Sequence, residues 1–472
     1  MPALILLCAA QFMVILDITV VSIAMPSIQQ DLGFAIADLQ WVVTAYTLAF
    51  GGLLLLGGRA ADLLGRRRVF LTGLTVFTGA SLGAALAGSP TALLAARACQ
   101  GVGAAMLSPA ALSLVTTAFP DGPQRRRALA AWAAVAASGG AFGVLAGGLL
   151  TETLDWTAIF LVNVPIGIAV GIGALRLLPV GGGASPSARG PIDVAGALLA
   201  TGGLVALIYG LVEAPGAGWG SLQTIGLLAL AAAALTTFVA VEARVRQPLV
   251  TLSVFRRRPT TTALVLMVAG MGTILSTFFF LTLYLQHVLG HSALRSGLEF
   301  LPGALLLVLA AHAGGQLTAR LGAKPVLAGG MTLAALGALL LSGVSPGGSY
   351  LADVLPGLLV LDLGVGLAAS AIFIVGMSGV GDEEAGMVSG LLSTAHELGG
   401  ALVLPVLSTI AVSGVGAATL DAASGLDPVL ATKGFGDAFR AAAAIALAAA
   451  LLALAALRRS DVATGTPHAF AH

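Results

Sequence analysis

This sequence has little charge: only 9% of its 472 residues are Asp, Glu, Lys or Arg. A water-soluble domain carries about 25% charged residues to cover its surface, so a soluble fold is excluded and most of this surface must face lipid. A basic surplus is missing too. The 22 Lys and Arg against 21 Asp and Glu leave a net charge of +1, which sets nucleic-acid binding aside. Cysteine is nearly absent, and Cys8 and Cys99 both lie in apolar stretches with no His or Cys at ligand spacing. Neither a disulfide framework nor a zinc site follows, and no metal or cofactor is expected. No P-loop and no soluble domain to hold one are found, so nucleotide hydrolysis is not the expected energy source. The N-terminal apolar run lacks a basic flank and a small-residue cleavage site and continues to Met25, which reads as a retained helix rather than a signal peptide.

Apolar residues fill the space: 58% of the chain, with a mean hydropathy of +1.02. At roughly 20 residues per bilayer crossing, segments near 3–25, 40–62, 69–89, 91–118, 127–150, 157–179, 192–213, 222–242, 259–284, 295–317, 324–344, 351–376, 386–413 and 437–457 each suit a spanning helix. The expectation is an all-α polytopic membrane protein with fourteen transmembrane helices. Positive charge stays on the cytoplasmic side of short loops. With the N-terminus placed there, eighteen of the 22 Lys and Arg fall in cytoplasmic loops or the tail, Arg295, Lys433 and Arg440 fall toward the outer side, and Arg97 lies inside helix 4. An even number of crossings with both termini cytoplasmic follows.

The Gly/Ser/Pro-rich stretch 181–190 is the best boundary in the chain, and an arginine-rich linker covers 243–258. The division is therefore a six-helix bundle over 1–180, a linker with inserted helices 7 and 8 over 181–258, a second six-helix bundle over 259–457, and a cytoplasmic tail over 458–472. A repeat supports it: Gly58, Asp62, Gly65 and Arg67 follow helix 2, and Gly315, Ala319, Gly322 and Lys324 follow helix 10 at the same spacing. Duplicated halves are a common way to build transporters, with the substrate site where they meet.

Charged residues inside apolar segments are costly and are functional candidates by default. Arg97 needs an anionic partner, and Asp17 in helix 1 and Glu299 in helix 10 are the candidates. Asp362 and Glu397 are equally unusual in helices 12 and 13, and His396 adjoins Glu397. Gly139, Gly143 and Gly147, with Gly148, form a bare stripe on helix 5 that lets a neighbour pack closely. His287, His291 and His312 titrate near neutrality and are weaker candidates.

Taken together, these residues resemble a family. Asp17 with Thr19-Val20-Val21 and Pro26, the run Gln40-Trp41-Val42-Val43-Thr44-Ala45-Tyr46, Gly58 through Arg67, Arg97 through Ala105, the helix 5 glycines and Asn163-Val164-Pro165-Ile166-Gly167 are similar to the fourteen-helix drug/proton antiporters of the major facilitator superfamily. Later stretches join them: Trp219-Gly220, Leu283-Tyr284-Leu285-Gln286, Gly297 with Leu301-Pro302, and Ser389-Gly390-Leu391. The resemblance implies a major-facilitator-type fold of two six-helix bundles plus an inserted pair. It implies that Gly58, Asp62, Gly65 and Arg66 form a cytoplasmic gating motif, that Arg97 and Asp17 serve proton coupling, and that the helix 5 glycines are an antiporter motif. Two positions depart from the pattern: Val144 stands where a proline usually follows the middle glycine, and His396-Glu397 stands where Arg-Gln is common.

The expected function is proton-coupled efflux of small, largely apolar or cationic compounds, such as drugs or antibiotics, by alternating access. Protons, the lipid bilayer and a small-molecule substrate are the expected partners, the protein is expected to act as a monomer in the cytoplasmic membrane, and no enzymatic activity is expected. Glu299 and Asp17, with Arg97 near them, are the favoured proton-coupling groups. Asp362, His396 and Glu397 are expected in the substrate cavity, where carboxylates would favour cations. Proton-coupled nutrient uptake is the rival on the same scaffold; a membrane sensor or intramembrane enzyme is the rival of another class.

Overall fold

The computed structural model describes residues 2–119, 123–178, 194–245, 248–413 and 427–457. All regular structure among them is helical. Fourteen long helices occupy the expected segments: α1 Pro2–Leu32, α2 Trp41–Leu64, α3 Arg66–Ala85, α4 Pro90–Ala118, α5 Pro123–Thr153, α6 Ala158–Leu177, α7 Val194–Ala217, α8 Leu222–Glu242, α9 Arg258–Leu283, α10 Ala293–Leu321, α11 Ala323–Leu341, α12 Leu355–Gly376, α13 Asp382–Ser413 and α14 Pro428–Ala456. Twelve of these are long and apolar enough to cross a membrane; α2 qualifies over the shorter stretch Trp41–Leu54, and α5 is a 31-residue helix. The protein is a multi-pass membrane protein. The linker 181–190 and the tail 458–472 lie outside the described residues.

Helix ends follow local chemistry. Ser89, Ser221 and Ser292 cap α4, α8 and α10 by accepting a backbone N–H three residues on. The largest boundary error concerns α14, expected to start at 437. Asp427 accepts from the N–H groups of Val429 and Leu430 and Pro428 occupies the first turn, so the helix begins nine residues earlier and takes in Lys433. His287 lies in a π-helical turn, Tyr284–Val288, that prolongs α9 beyond its expected end at 284.

Packing repeats with the inserted pair α7–α8 skipped. In the first half α1 packs on α5, α2 on α4, α3 on α4 and α3 on α6; in the second α9 packs on α13, α10 on α12, α11 on α12 and α11 on α14. Gly65 and Gly322 end α2 and α10 with φ of 97° and 84°, a region glycine enters without a Cβ penalty, so each turns the chain straight into the next helix. Gly73 on α3 faces Gly103 on α4 as Gly330 on α11 faces Gly364 on α12.

The halves meet through α5 with α10 and α2 with α13, and more lightly through α1 with α9. Helix α7 lies along the α2–α13 seam, where Ile208 and Val212 pack with Leu48, Leu398 and Ala401, and Thr201 donates to the Gly52 carbonyl at 3.0 Å. Helix α8 packs on α7 and is otherwise the least buried span, with Leu222, Ile225, Leu230 and Val239 exposed as a lipid-facing helix requires.

Candidate transport site

Inside the first half, polar residues from four helices converge. Arg97 on α4 donates to Asp17 on α1 at 2.5 Å, to the Gln100 side chain at 3.0 Å and to the Val42 carbonyl at 2.8 Å. Asp17 also accepts from Gln100 at 3.0 Å and from Asn163 on α6 at 2.7 Å, and Gln100 donates to Ser81 on α3 at 2.8 Å. The guanidinium lies 4.4 Å from the Tyr46 ring centroid, and Arg97 is 1% exposed. This answers the question that the lone arginine posed: its partner is Asp17. Glu299 is not a partner, because it lies in the other half. Of the surrounding groups, Ser81 carried no signal beyond being polar in an apolar segment, and Gln100 and Asn163 were visible as motif residues without a role.

Glu299 on α10 instead closes a second cluster, accepting from Arg295 at 3.1 Å and meeting His291 Nδ1 at 2.8 Å. Its own carbonyl accepts from the Tyr350 hydroxyl at 2.8 Å. Nearby, the α5 glycines act as contact points. Gly139, Gly143 and Gly147 lie against Ile15, Thr19 and Val20 of α1, where a methyl on Gly143 would run into the Thr19 hydroxyl. Gly148 faces Ala293 and Leu294 instead, and Gly297 returns the contact against the Val144 carbonyl. Position 144 thus lies in the seam between the halves.

Between the halves is a cavity of 1280 Å³. Its first wall, from α1 and α4, sets Gln11, Thr19, Ser22, Ser108 and Ser113 among Ile15, Ile18, Ile23 and Leu112, with Ser108 donating to Gln11 at 2.9 Å. The facing wall, from α9 and α10, is mainly hydrocarbon, Met271, Ile274, Leu275, Phe278, Leu307 and Val308, with Thr282 its one hydroxyl among the described residues. At the arginine-rich end the lining reaches Arg59, Thr116 and Glu384. At the opposite end the halves are latched: the Leu294 N–H donates to Glu152 at 2.9 Å and Gln286 donates to the Ile23 carbonyl at 2.9 Å.

His396 and Glu397 both line this cavity, bonded to each other at 3.1 Å. The Glu397 side chain also packs against Gly51 of α2. Glu384, at the mouth, is paired with Arg257 at 2.6 Å. Asp362 corrects the expectation. It is 0% exposed and absent from the cavity lining, packed between α12 and α10 against Gly303. Of the gating motif, Gly58 approaches Pro109 of α4, Arg66 opens α3, Arg67 donates to the Leu175 carbonyl at 2.9 Å, and the side chain of Asp62 lies outside the described residues. No group of three or more His, Cys, Asp or Glu that could hold a metal ion occurs among the described residues.

Repeated helix bundles around a cavity that reaches one end of the molecule and is latched at the other define a membrane transporter of the alternating-access kind. The profile of the Major Facilitator Superfamily matches residues 7–404, and the chain belongs to that family. It is 44% identical over 462 residues to the cephamycin export protein CmcT of Amycolatopsis lactamdurans, covering 97% of this chain and 93% of that one. It is 39% identical to the puromycin resistance protein pur8 of Streptomyces alboniger, covering 95% and 89%. Among solved structures, a bacterial homologue of the human lysosomal transporter Spinster, inward-facing and unoccupied, superposes with a TM-score of 0.67 at 17% identity over 96% of each chain. At that identity the likeness is one of fold.

Proposed function

We propose that this protein exports amphiphilic small molecules from the cytoplasm across the cell membrane in exchange for protons. The cavity carries the reading. A largely apolar cavity with hydroxyls and an amide concentrated on its α1–α4 side suits a mostly apolar compound bearing a few polar groups, and the His396–Glu397 pair offers a carboxylate that an amine on the substrate takes over from His396. The exporters and resistance proteins to which the chain is similar support the direction. The arginine-rich end is assigned to the cytoplasm, together with both termini, on the positive-inside rule. The division into bundles 1–180 and 259–457, with 181–258 inserted and a tail 458–472, is our assignment too, and a monomer suffices because the cavity is enclosed by one chain.

Proton coupling is assigned to the buried charges: Asp17 with Arg97 in the first half and Glu299 in the second, with Asp62 and Arg66 as gating residues and the α5 glycines as the close contact of α5 with α1, from which Gly148 reaches the seam between the halves. Each proton entering down about 100 mV supplies roughly 2.3 kcal/mol, enough for about a fifty-fold gradient of a neutral solute. Everted membrane vesicles test this. With puromycin as probe, an imposed inward-acid pH gradient should drive accumulation that collapses when the gradient is dissipated. Accumulation indifferent to the gradient would sink proton exchange, and accumulation only in right-side-out vesicles would reverse the direction.

A further inference from the structure

The internal repeat exposes a residue that packing does not explain. Carrying the Gly65/Gly322 register along α2 and α10 sets Tyr46 at the place of Gly303, and the Gly103/Gly364 register along α4 and α12 sets Gly101 at the place of Asp362. In the first half the backbone of α2 lies against a glycine on α4: a methyl on Gly101 would strike the Tyr46 carbonyl. In the second half the glycine is on α10 and a side chain of α12 fills the contact, for a methyl on Gly303 would strike the Asp362 carboxyl. The room is filled by a carboxyl where hydrocarbon would serve.

That carboxyl has nothing to bond. Both oxygens of Asp362 lack a hydrogen-bond partner among the described residues, and the side chain is 0% exposed. The α4 positions that donate to Asp17 in the first half, and the α3 serine that accepts from one of them, are apolar in the second: Arg97, Gln100 and Ser81 correspond to Leu358, Leu361 and Ala338. An unpaired carboxylate in such surroundings is costly, whereas the neutral acid is tolerated.

Its position gives the neutral acid a use. Glu299 lies one helical turn before Gly303 on α10, about 6 Å nearer the latched end, and joins the His291–Arg295 cluster there. Gly366, one turn after Asp362 on α12, and Ala304, next to Gly303, both line the cavity. Asp362 therefore lies at a depth between the outer ionisable cluster and the substrate cavity. From α10 the titratable groups on its side are Glu299, Arg295 and His291. Its own segment contributes Tyr350 and Asp353 near the outer end, α9 contributes Tyr284 and His287 at its outer end, and α11 contributes only Lys324 at the far end.

We propose that Asp362 is a proton-binding site of the second half, taking a proton from the outer cluster through Glu299 and His291 and giving it up toward the cavity. The step is a reversible transfer: the carboxylate gains one proton from the outer medium and later releases one to cavity water, with no bond to any other atom formed or broken. It rests on proton exchange as the driving reaction. It adds a carrier separate from the Asp17–Arg97 pair.

Proteoliposomes containing wild type or Asp362→Asn, with puromycin as probe, test it through two readouts: accumulation driven by a pH gradient, and exchange of labelled for unlabelled puromycin at equal concentrations without a gradient. The expected result is that Asp362→Asn falls to the level reached without a gradient while exchange persists, and that Asp362→Glu restores part of the driven transport. An Asn amide imitates a protonated carboxyl in shape and cannot carry a proton, so undiminished driven transport in Asp362→Asn overturns the proposal. Failure of the wild type to respond to the gradient defeats the proton-exchange reading itself, a separate outcome. Should the Asn variant not insert, infrared difference spectra of the wild type and of Asp362→Glu decide. A protonated-carboxyl band removed by raising the pH, and shifted in the Glu variant, is expected; a wild type without such a band overturns the proposal.

Discussion

The two halves share helix packing and helix-turning glycines, and they treat buried charge in opposite ways. In the first half the carboxylate of Asp17 is met by Arg97, Gln100 and Asn163, with Ser81 and the Tyr46 ring closing the network. In the second half, Asp362 is equally buried and has no hydrogen-bond partner among the described residues. A duplicated fold therefore fixes where helices pack without fixing what they enclose. The first half encloses a satisfied ion pair, and the second an acid whose charge nothing stabilises. Satisfied networks rigidify; unsatisfied groups are kept against stability when something other than stability needs them.

The largest effect expected of this contrast is a difference of sign. Arg97→Leu strands the Asp17 carboxylate with only amide donors and should cost about 3–5 kcal/mol, because breaking a buried pair leaves an uncompensated charge. Asp362→Leu removes an unsatisfied group at similar volume and should leave stability unchanged or raise it by up to about 1–3 kcal/mol. Thermal unfolding of both variants in the same detergent checks this. Equal losses would mean that Asp362 is bonded and that the halves do not differ.

A double-mutant cycle sharpens the contrast between these two contacts. Gly303→Ala should cost about 1–3 kcal/mol through overpacking, and Asp362→Ala should relieve part of it, because the nearest clash is with a side-chain oxygen while Leu358 remains close. The counterpart, Gly101→Ala, meets the Tyr46 carbonyl and the Phe50 nitrogen, which are backbone atoms, so Tyr46→Ala should rescue little. Matching rescue in both halves would break the comparison.

The same logic separates two neighbouring glycines of α5. Gly143→Ala should cost about 1–3 kcal/mol because Thr19 and the Leu16 carbonyl occupy the space. Gly140→Ala meets nothing within 4 Å and should gain up to about 0.5–1 kcal/mol from helix propensity. Stability and inserted yield of the two variants, compared side by side, show whether the stripe is a packing device or merely composition.

Much of this could be read from the residues, and the limits have physical causes. Membrane spans are legible because lipid demands long apolar runs, so all fourteen segments are helical and most ends fall within a few residues. The exception, α14, was hidden because Lys433, Asp437 and Arg440 made its first turns look like a loop. Within the site, a buried arginine demands an anion, but the sequence cannot choose between Asp17 and Glu299; chain topology does. Asp362 looked like a cavity carboxylate because helical periodicity gives no direction to a helix apolar all round. His396 and Glu397 both line the cavity, whereas Ser81 and Asn163 acquire meaning only once α3 and α6 bring them to the Gln100–Asp17 network.

The smallest expected effect concerns the outer entrances of the halves, where the same register sets Asp38 at the place of Arg295. Arg295 has its anion in Glu299, and because the arginine is largely exposed the pair contributes little. Asp38 is exposed at its tip, yet it borders a hollow of 420 Å³ shared with Trp41, Tyr209 and Glu213, and partial burial there raises its pKa above the ordinary aspartate value. The folded state then binds the proton more tightly than the unfolded chain does. Stability on this account is greatest below the ordinary aspartate pKa and declines as the pH rises through the folded value. Asp38→Asn should match the wild type at the acid end, remain flatter through that window and be slightly more stable at neutral pH, while Arg295→Gln should show no such pH-linked gain. Unfolding temperatures measured across the acid range for the three proteins test this, and identical slopes for wild type and Asp38→Asn would show that the hollow leaves Asp38 as solvated as it is in the unfolded chain.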